Sequence, residues 1–143
     1  MNGAESVAAA AIFVWLGMVL AISFLEAPLK FRAPGVTLQI GLGIGRLVFG
    51  ALNAVEAVLA AVVVVALVVG APPVAVIAPA AAAVAALVLQ LVAVRPRLAR
   101  RSDAVLAGAD PPRSRSHHAY IGLEGLKVLA LVTAGIELLT VSH

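Results

Sequence analysis

Residues 47–69 read LVFGALNAVEAVLAAVVVVALVV, and Asn53 and Glu56 are their only polar side chains. A helix of this length crosses the roughly 30 Å hydrocarbon core of a bilayer, which takes about 20 residues. Three further stretches have the same character: 7–25, broken only by Ser23, then 74–94 and 119–140. Pro72 and Pro73 separate the second span from the third. Pro79 lies inside the third, where a membrane helix tolerates it with a local kink.

The whole chain agrees with this reading. Of its 143 residues, 63% are hydrophobic and 12% charged, against roughly 25% charged in a soluble domain. That excludes a water-soluble globular protein and a disordered one. The expected fold is all-α: a polytopic membrane four-helix bundle forming a single domain, residues 1–143. Cysteine is absent, so no disulfide framework or thiolate site exists. Eight of the ten basic residues are Arg, and Ala, Val and Gly abound, a composition that suggests a GC-rich bacterial genome. The N-terminal segment has no basic region and carries Glu5. It reads as a retained helix, not a signal peptide.

The basic residues are distributed unevenly. Lys30, Arg32 and Arg46 fall in the connection 26–46, and Arg95, Arg97, Arg100, Arg101, Arg113 and Arg115 in the connection 95–118. The 70–73 turn and both chain ends have none. By the positive-inside rule both basic loops are expected in the cytoplasm and both termini outside, in a bacterial inner membrane.

In the first loop, Pro28 and Pro34 argue against one long helix. Gly41, Gly43 and Gly45 lack the strand context of a phosphate loop and read as a bent interfacial approach with close backbone packing. In the second loop, Leu98, Val105 and Leu106 alternate with Arg, as in an interfacial helix lying on anionic lipid. No nucleic-acid partner is expected, because the stretch is short and lacks aromatic residues for stacking.

Charged residues inside a span are expensive and therefore informative. An offset of 71 residues superimposes Arg46 on His117, Asn53 on Glu124 and Glu56 on Lys127. The chain thus reads as two parallel helical-hairpin repeats, related by an axis along the membrane normal. Glu56 lies about 15 Å above Arg46, and Lys127 about 15 Å above His117. Both should reach the midplane and pair. The competing pair is Glu124–Lys127, on one helix face. His117, Tyr120 and Glu124 form a face running from the basic zone inward, with Gln90 close to it. Glu26 and Lys30 suit a local ion pair, and Glu26 equally suits a pair with Arg46 or Arg97. Trp15 reads as ordinary packing or an interface anchor. Glu137 is satisfied by reaching the external interface.

The candidate ligand or solute site is Arg46, Asn53, Glu56, His117, Tyr120, Glu124 and Lys127, with Arg46 attracting an anionic group. No catalytic residue, metal site or cofactor is assigned. His117 and His118 are adjacent and point to different faces, and His143 is at the far end of the chain, so bis-His haem within one protomer is not expected. The alternative for the same polar residues is structural: buried pairs that fix helix register and bind nothing. Four such helices enclose little volume, so a transport role predicts a homo-oligomer, dimer or trimer, with Gly17, Gly50 and 80–86 as close-packing faces.

Two families share features with these residues. The elements APLKF (27–31), RPRL (95–98) and HHAY (117–120), with a Gly-rich approach to the second helix, resemble a group of small four-span membrane proteins of largely unknown function. That group includes the eukaryotic transmembrane protein associated with cisplatin resistance. The resemblance implies a multipass protein with a transport-related role and no catalytic residue. Arg46 followed by Asn53-x-x-Glu56 resembles the second helix of the membrane-associated eicosanoid and glutathione metabolism family. That resemblance implies a trimeric glutathione-dependent enzyme using these three residues. The family's arginine–histidine pattern beside the Asn is absent, since positions 51 and 52 are Ala and Leu. Three readings stay open: a small polar or anionic solute site, a glutathione enzyme, and a structural membrane protein.

Overall fold

The computed structural model describes residues 1–108 and 115–141, with backbone alone at Arg115 and Ser116. Arg113 and His143 lie outside the described residues. All regular structure among the described residues is helical, in four long segments: α1 Gly3–Arg32, α2 Leu38–Gly70, α3 Val74–Leu106 and α4 Arg115–Val141. Each is long and apolar enough to cross a membrane. The protein is an all-α four-helix membrane bundle.

Local chemistry sets the helix ends. Asn2 and Glu5 form a capping box: Asn2 Oδ1 accepts from Glu5 N–H at 2.8 Å, and Glu5 Oε2 accepts from Asn2 N–H at 3.1 Å. Each bond satisfies a donor that an open helix end leaves without a partner. Thr37 Oγ1 caps α2 through Ile40 N–H at 3.2 Å. At the other end of α2, Ala71 adopts a left-handed conformation (φ 46°) and its N–H bonds Leu67 O at 2.9 Å, closing the helix as a glycine commonly does.

The helices outrun the apolar spans, which corrects the reading of both basic connections. Residues 26–46 are not a loop. Helix α1 continues to Arg32, the chain breaks only across 33–37, and α2 starts at Leu38, so Gly41, Gly43 and Gly45 lie inside a helix. A helical glycine costs about 1 kcal/mol relative to alanine, but at two of these positions a side chain has no room. A Cβ at Gly41 would lie 2.1 Å from the Phe31 ring, and one at Gly45 would lie 3.0 Å from Lys30 Nζ. The expected close packing is present, on helical backbone. Residues 95–106 likewise continue α3, and Pro79 sits within an unbroken helix.

The tightest packing is α3 on α4 and α1 on α2, and α1 also packs on α4. Helices α2 and α4 therefore occupy opposite corners. The apolar core gathers Ile12, Trp15, Val63, Val76, Leu131 and Leu138 around small residues such as Ala8, Ala83 and Ala134. Small residues let membrane helices approach closely, which matters where packing drives association. The outer surface is apolar as well: Leu47 and Val68 are 79% and 76% exposed, a surface suited to lipid and not to water.

Each half of the chain carries a π-helical segment in its first helix, Leu20–Glu26 in α1 and Gln90–Val94 in α3. Residues 91–97 are the 71-residue counterparts of 20–26, so the two segments occupy nearly equivalent places in the two hairpins. At one end of the bundle Gly70 packs on Ala4 and Glu5. The basic segments meet at the other, where Arg46 pairs with Asp103 and Gln39 Nε2 donates to Val105 O at 3.3 Å.

Candidate functional site

The apolar interior is interrupted by one polar network to which every helix contributes. Trp15 (α1) donates its indole N–H to Glu56 Oε2 (α2) at 2.8 Å. Lys127 (α4) donates to the same oxygen and makes a second ion pair with Glu124 Oε1 at 2.6 Å. Gln90 (α3) donates to Glu124 Oε1 at 2.7 Å, and the Ser23 hydroxyl (α1) donates to Glu124 Oε2 at 2.5 Å. Glu56, Gln90 and Lys127 are 0% exposed and Glu124 2%. Both pairings left open by the sequence are formed, because Lys127 lies between the two carboxylates.

The burial explains the completeness of the network. Removing an ion from water costs several kcal/mol even after relaxation, and only paired, hydrogen-bonded geometry offsets that. Three polar atoms in this region still lack a hydrogen-bond partner: Glu56 Oε1, Gln90 Oε1 and Asn53 Oδ1.

A cavity of about 490 Å³ lies between this network and the basic end. Ser23 and Glu124 belong to both the cavity lining and the network, so the network forms part of the cavity wall. Lys30, Arg46, Arg95, Arg101, His117 and Tyr120 add polar surface, and Phe24, Phe31, Phe49, Leu98 and Ile121 add apolar surface. Lys30 Nζ lies 5.5 and 5.6 Å from the ring centroids of Phe31 and Phe49, within cation–π range. Its ion pair with Glu26 spans 4.0 Å. Tyr120 meets Phe49 edge to face with centroids 5.9 Å apart. Arg46 is engaged by Asp103 at 2.5 Å. Two lining donors, Arg101 Nε and the Tyr120 hydroxyl, are buried without a hydrogen-bond partner.

The sequence-derived residues therefore divide into two groups. Arg46, His117, Tyr120 and Glu124 line the cavity, whereas Asn53, Glu56 and Lys127 are buried away from its lining. Arg46, Asn53 and Glu56 do not meet at one cavity surface. Of the two readings of Trp15, packing holds, since it is fully buried in the core, and the interface anchor is corrected; its indole N–H is in addition bonded to Glu56. The second basic segment also turns partly inward, with Arg95, Leu98 and Arg101 on the cavity wall.

Sequence reasoning assigned no role to Ser23, Lys30, Arg95 or Arg101 in the site. Ser23 had a signal, as the only polar break in 7–25. The others are indistinguishable in sequence from ordinary interfacial cations. Among the described residues, no group of three or more His, Asp and Glu side chains is placed to hold a metal ion. Comparison with protein-family models, curated proteins and solved structures finds no match for the chain.

Proposed function

We propose that this integral membrane protein binds a small anionic solute with an apolar body in the cavity at its basic end, as part of a transport-related role. The observation that carries the reading is the excess of donors. Arg101 Nε and the Tyr120 hydroxyl are buried on the cavity wall without an acceptor, beside Lys30 and Arg95. A buried donor left unmade costs about 1–3 kcal/mol. A carboxylate or phosphate oxygen satisfies such donors, and Phe24, Phe31 and Phe49 suit an apolar portion.

The Lys and Arg distribution supports an orientation with the basic end in the cytoplasm and both termini outside, and the Arg-, Ala-, Val- and Gly-rich composition supports a bacterial inner membrane. A homo-oligomer fits the small volume enclosed by one bundle. The sealed Glu56–Lys127 pair supports a structural role for those two residues: they fix the rotation of α2 against α4.

The test is calorimetric titration of the purified full-length chain in nanodiscs with benzoate, inorganic phosphate and glutathione. Benzoate or phosphate binding is expected, weakened at least tenfold by Tyr120→Phe combined with Arg101→Gln. Binding of glutathione alone, lost in Arg46→Ala, overturns this reading in favour of a glutathione site. No binding of any of the three leaves the structural role as the whole function.

A further inference from the structure

We propose that the cavity takes up its anion together with one proton, and that Glu124 holds that proton. This inference rests on the anion reading above and adds the co-bound ion.

The argument begins with a charge count. Two carboxylates, Glu56 and Glu124, share one ammonium, Lys127, and all three are at least 98% buried. Both carboxylates ionised would leave the triad one negative charge in excess. The two are not equivalent. Glu56 takes both Trp15 and Lys127 on one oxygen and has no contact with the cavity. Glu124 shares Lys127 and lies on the cavity wall, which also carries basic side chains.

Without a bound anion, the basic groups that share the cavity wall with Glu124 are available to offset its charge. An anion seated among Lys30, Arg95 and Arg101 engages the same charges. The carboxylate of Glu124 is then left with half of Lys127, in surroundings where uncompensated charge is costly.

One proton from solution removes the excess. It adds to Glu124 Oε2, and the new O–H donates to Ser23 Oγ, already 2.5 Å away. Oε1 keeps its bonds from Gln90 and Lys127. Lys127 then pairs one to one with Glu56. The Ser23 hydroxyl hydrogen, which points at Oε2 when Glu124 is ionised, turns away as its oxygen becomes the acceptor, and no heavy atom has to move. Titratable groups on the cavity wall or paired with it come from every helix: Lys30 of α1 with its partner Glu26, Arg46 of α2, Arg95 and Arg101 of α3, and His117 and Tyr120 of α4, while Lys127 links Glu124 to Glu56. Arg46 is paired with Asp103. His117 belongs to the side-chain type that titrates near neutrality, so it is the competing proton acceptor.

The experiment titrates the full chain in nanodiscs with benzoate in weakly buffered medium containing a pH-indicator dye, and repeats the affinity measurement across pH. About one proton taken up per benzoate is expected, with affinity falling about tenfold per pH unit where Glu124 is ionised before binding. Glu124→Gln, which mimics the protonated form, binds benzoate with no uptake and no such slope. His117→Gln retains both, whatever its affinity.

Binding without proton uptake overturns this inference and leaves the anion reading standing. Uptake that survives Glu124→Gln but is lost in His117→Gln also overturns it. Absence of any benzoate or phosphate binding overturns both. If Glu124→Gln does not fold, Ser23→Ala decides: removing the acceptor for the acid proton lowers uptake below the wild-type value, and unchanged uptake overturns the assignment.

Discussion

Lys127 on α4 is bonded to Glu56 on α2, across the diagonal of the bundle, and to Glu124 one turn earlier on its own helix. Corner helices that pack little against each other are thus tied through side chains. Trp15 from α1 and Gln90 from α3 complete the ring. The sequence separation between the diagonal partners, 71 residues, is also the offset that superimposes the two halves of the chain.

Removing Lys127 leaves two buried carboxylates without a counter-charge. Lys127→Met is expected to cost about 3–5 kcal/mol, as when one partner of a buried pair is deleted. Combining it with Glu56→Gln, which removes one of the two stranded charges, recovers about half of the loss. Steric trapping or thermal unfolding in nanodiscs measures both. A double variant no more stable than Lys127→Met would show that the ion pair is not what stabilises the centre of the bundle.

Trp15 is the only tryptophan in the chain. Its burial and its bond to Glu56 predict emission at short wavelength, resistant to aqueous quenchers. Trp15→Phe keeps most of the ring and loses the hydrogen bond, which in membrane interiors averages about 0.6 kcal/mol with a maximum near 1.7. A destabilisation within that span is expected. Full quenching by iodide would mean that the network is wet.

Gly45→Ala separates stability from binding. The added methyl lies 3.0 Å from Lys30 Nζ, the flexible end of a long side chain that can swing aside. Replacing a helical glycine gains up to about 1 kcal/mol, so stability is unchanged or raised. Displacing the ammonium from between Phe31 and Phe49 lowers benzoate affinity several-fold. Unaltered affinity would place the anion elsewhere in the cavity.

Because the chain has no cysteine, single introduced cysteines report topology without background. Gly3→Cys is expected to react with an impermeant maleimide from outside intact cells. Ala107→Cys is expected to react only after the membrane is opened. The reverse pattern overturns the orientation argued from Lys and Arg.

Arg46 and Asp103 show the opposite limit of electrostatics. Their side chains are 45% and 60% exposed, so the pair is screened by solvent. Asp103→Asn is expected to change stability by less than about 1 kcal/mol, measured in the same unfolding assay. A loss of several kcal/mol would mean that the pair is shielded in the membrane-embedded protein.

Part of the site was legible in the sequence because polar residues stand out in an apolar span. Asn53, Glu56, Glu124 and Lys127 were visible for that reason, and equal depth on α2 and α4 led to the Glu56–Lys127 contact. Ser23 and Trp15 are not legible as partners in the sequence. A serine or a tryptophan in a span has many harmless placements, and only the rotation of α1 decides which one applies. Proline and glycine usually interrupt helices, so the sequence of 26–46 reads as a loop, whereas the amphipathic 98–106 stretch reads as a helix and differs only in continuing α3. In α2 the glycines accommodate Phe31 and Lys30, a requirement that becomes apparent only when α1 is in place.

The sequence alone determined the number of spans, their helical nature and the collection of the basic residues on alternate connections. These depend on local hydropathy and on the need to satisfy backbone hydrogen bonds in lipid. The tertiary structure decided that Lys127 serves two carboxylates, that Glu124 reaches a cavity and that Glu56 does not. Those outcomes depend on how each helix is rotated and set against its neighbours. That is fixed by the packing of small and large side chains from distant parts of the chain, which no single span encodes.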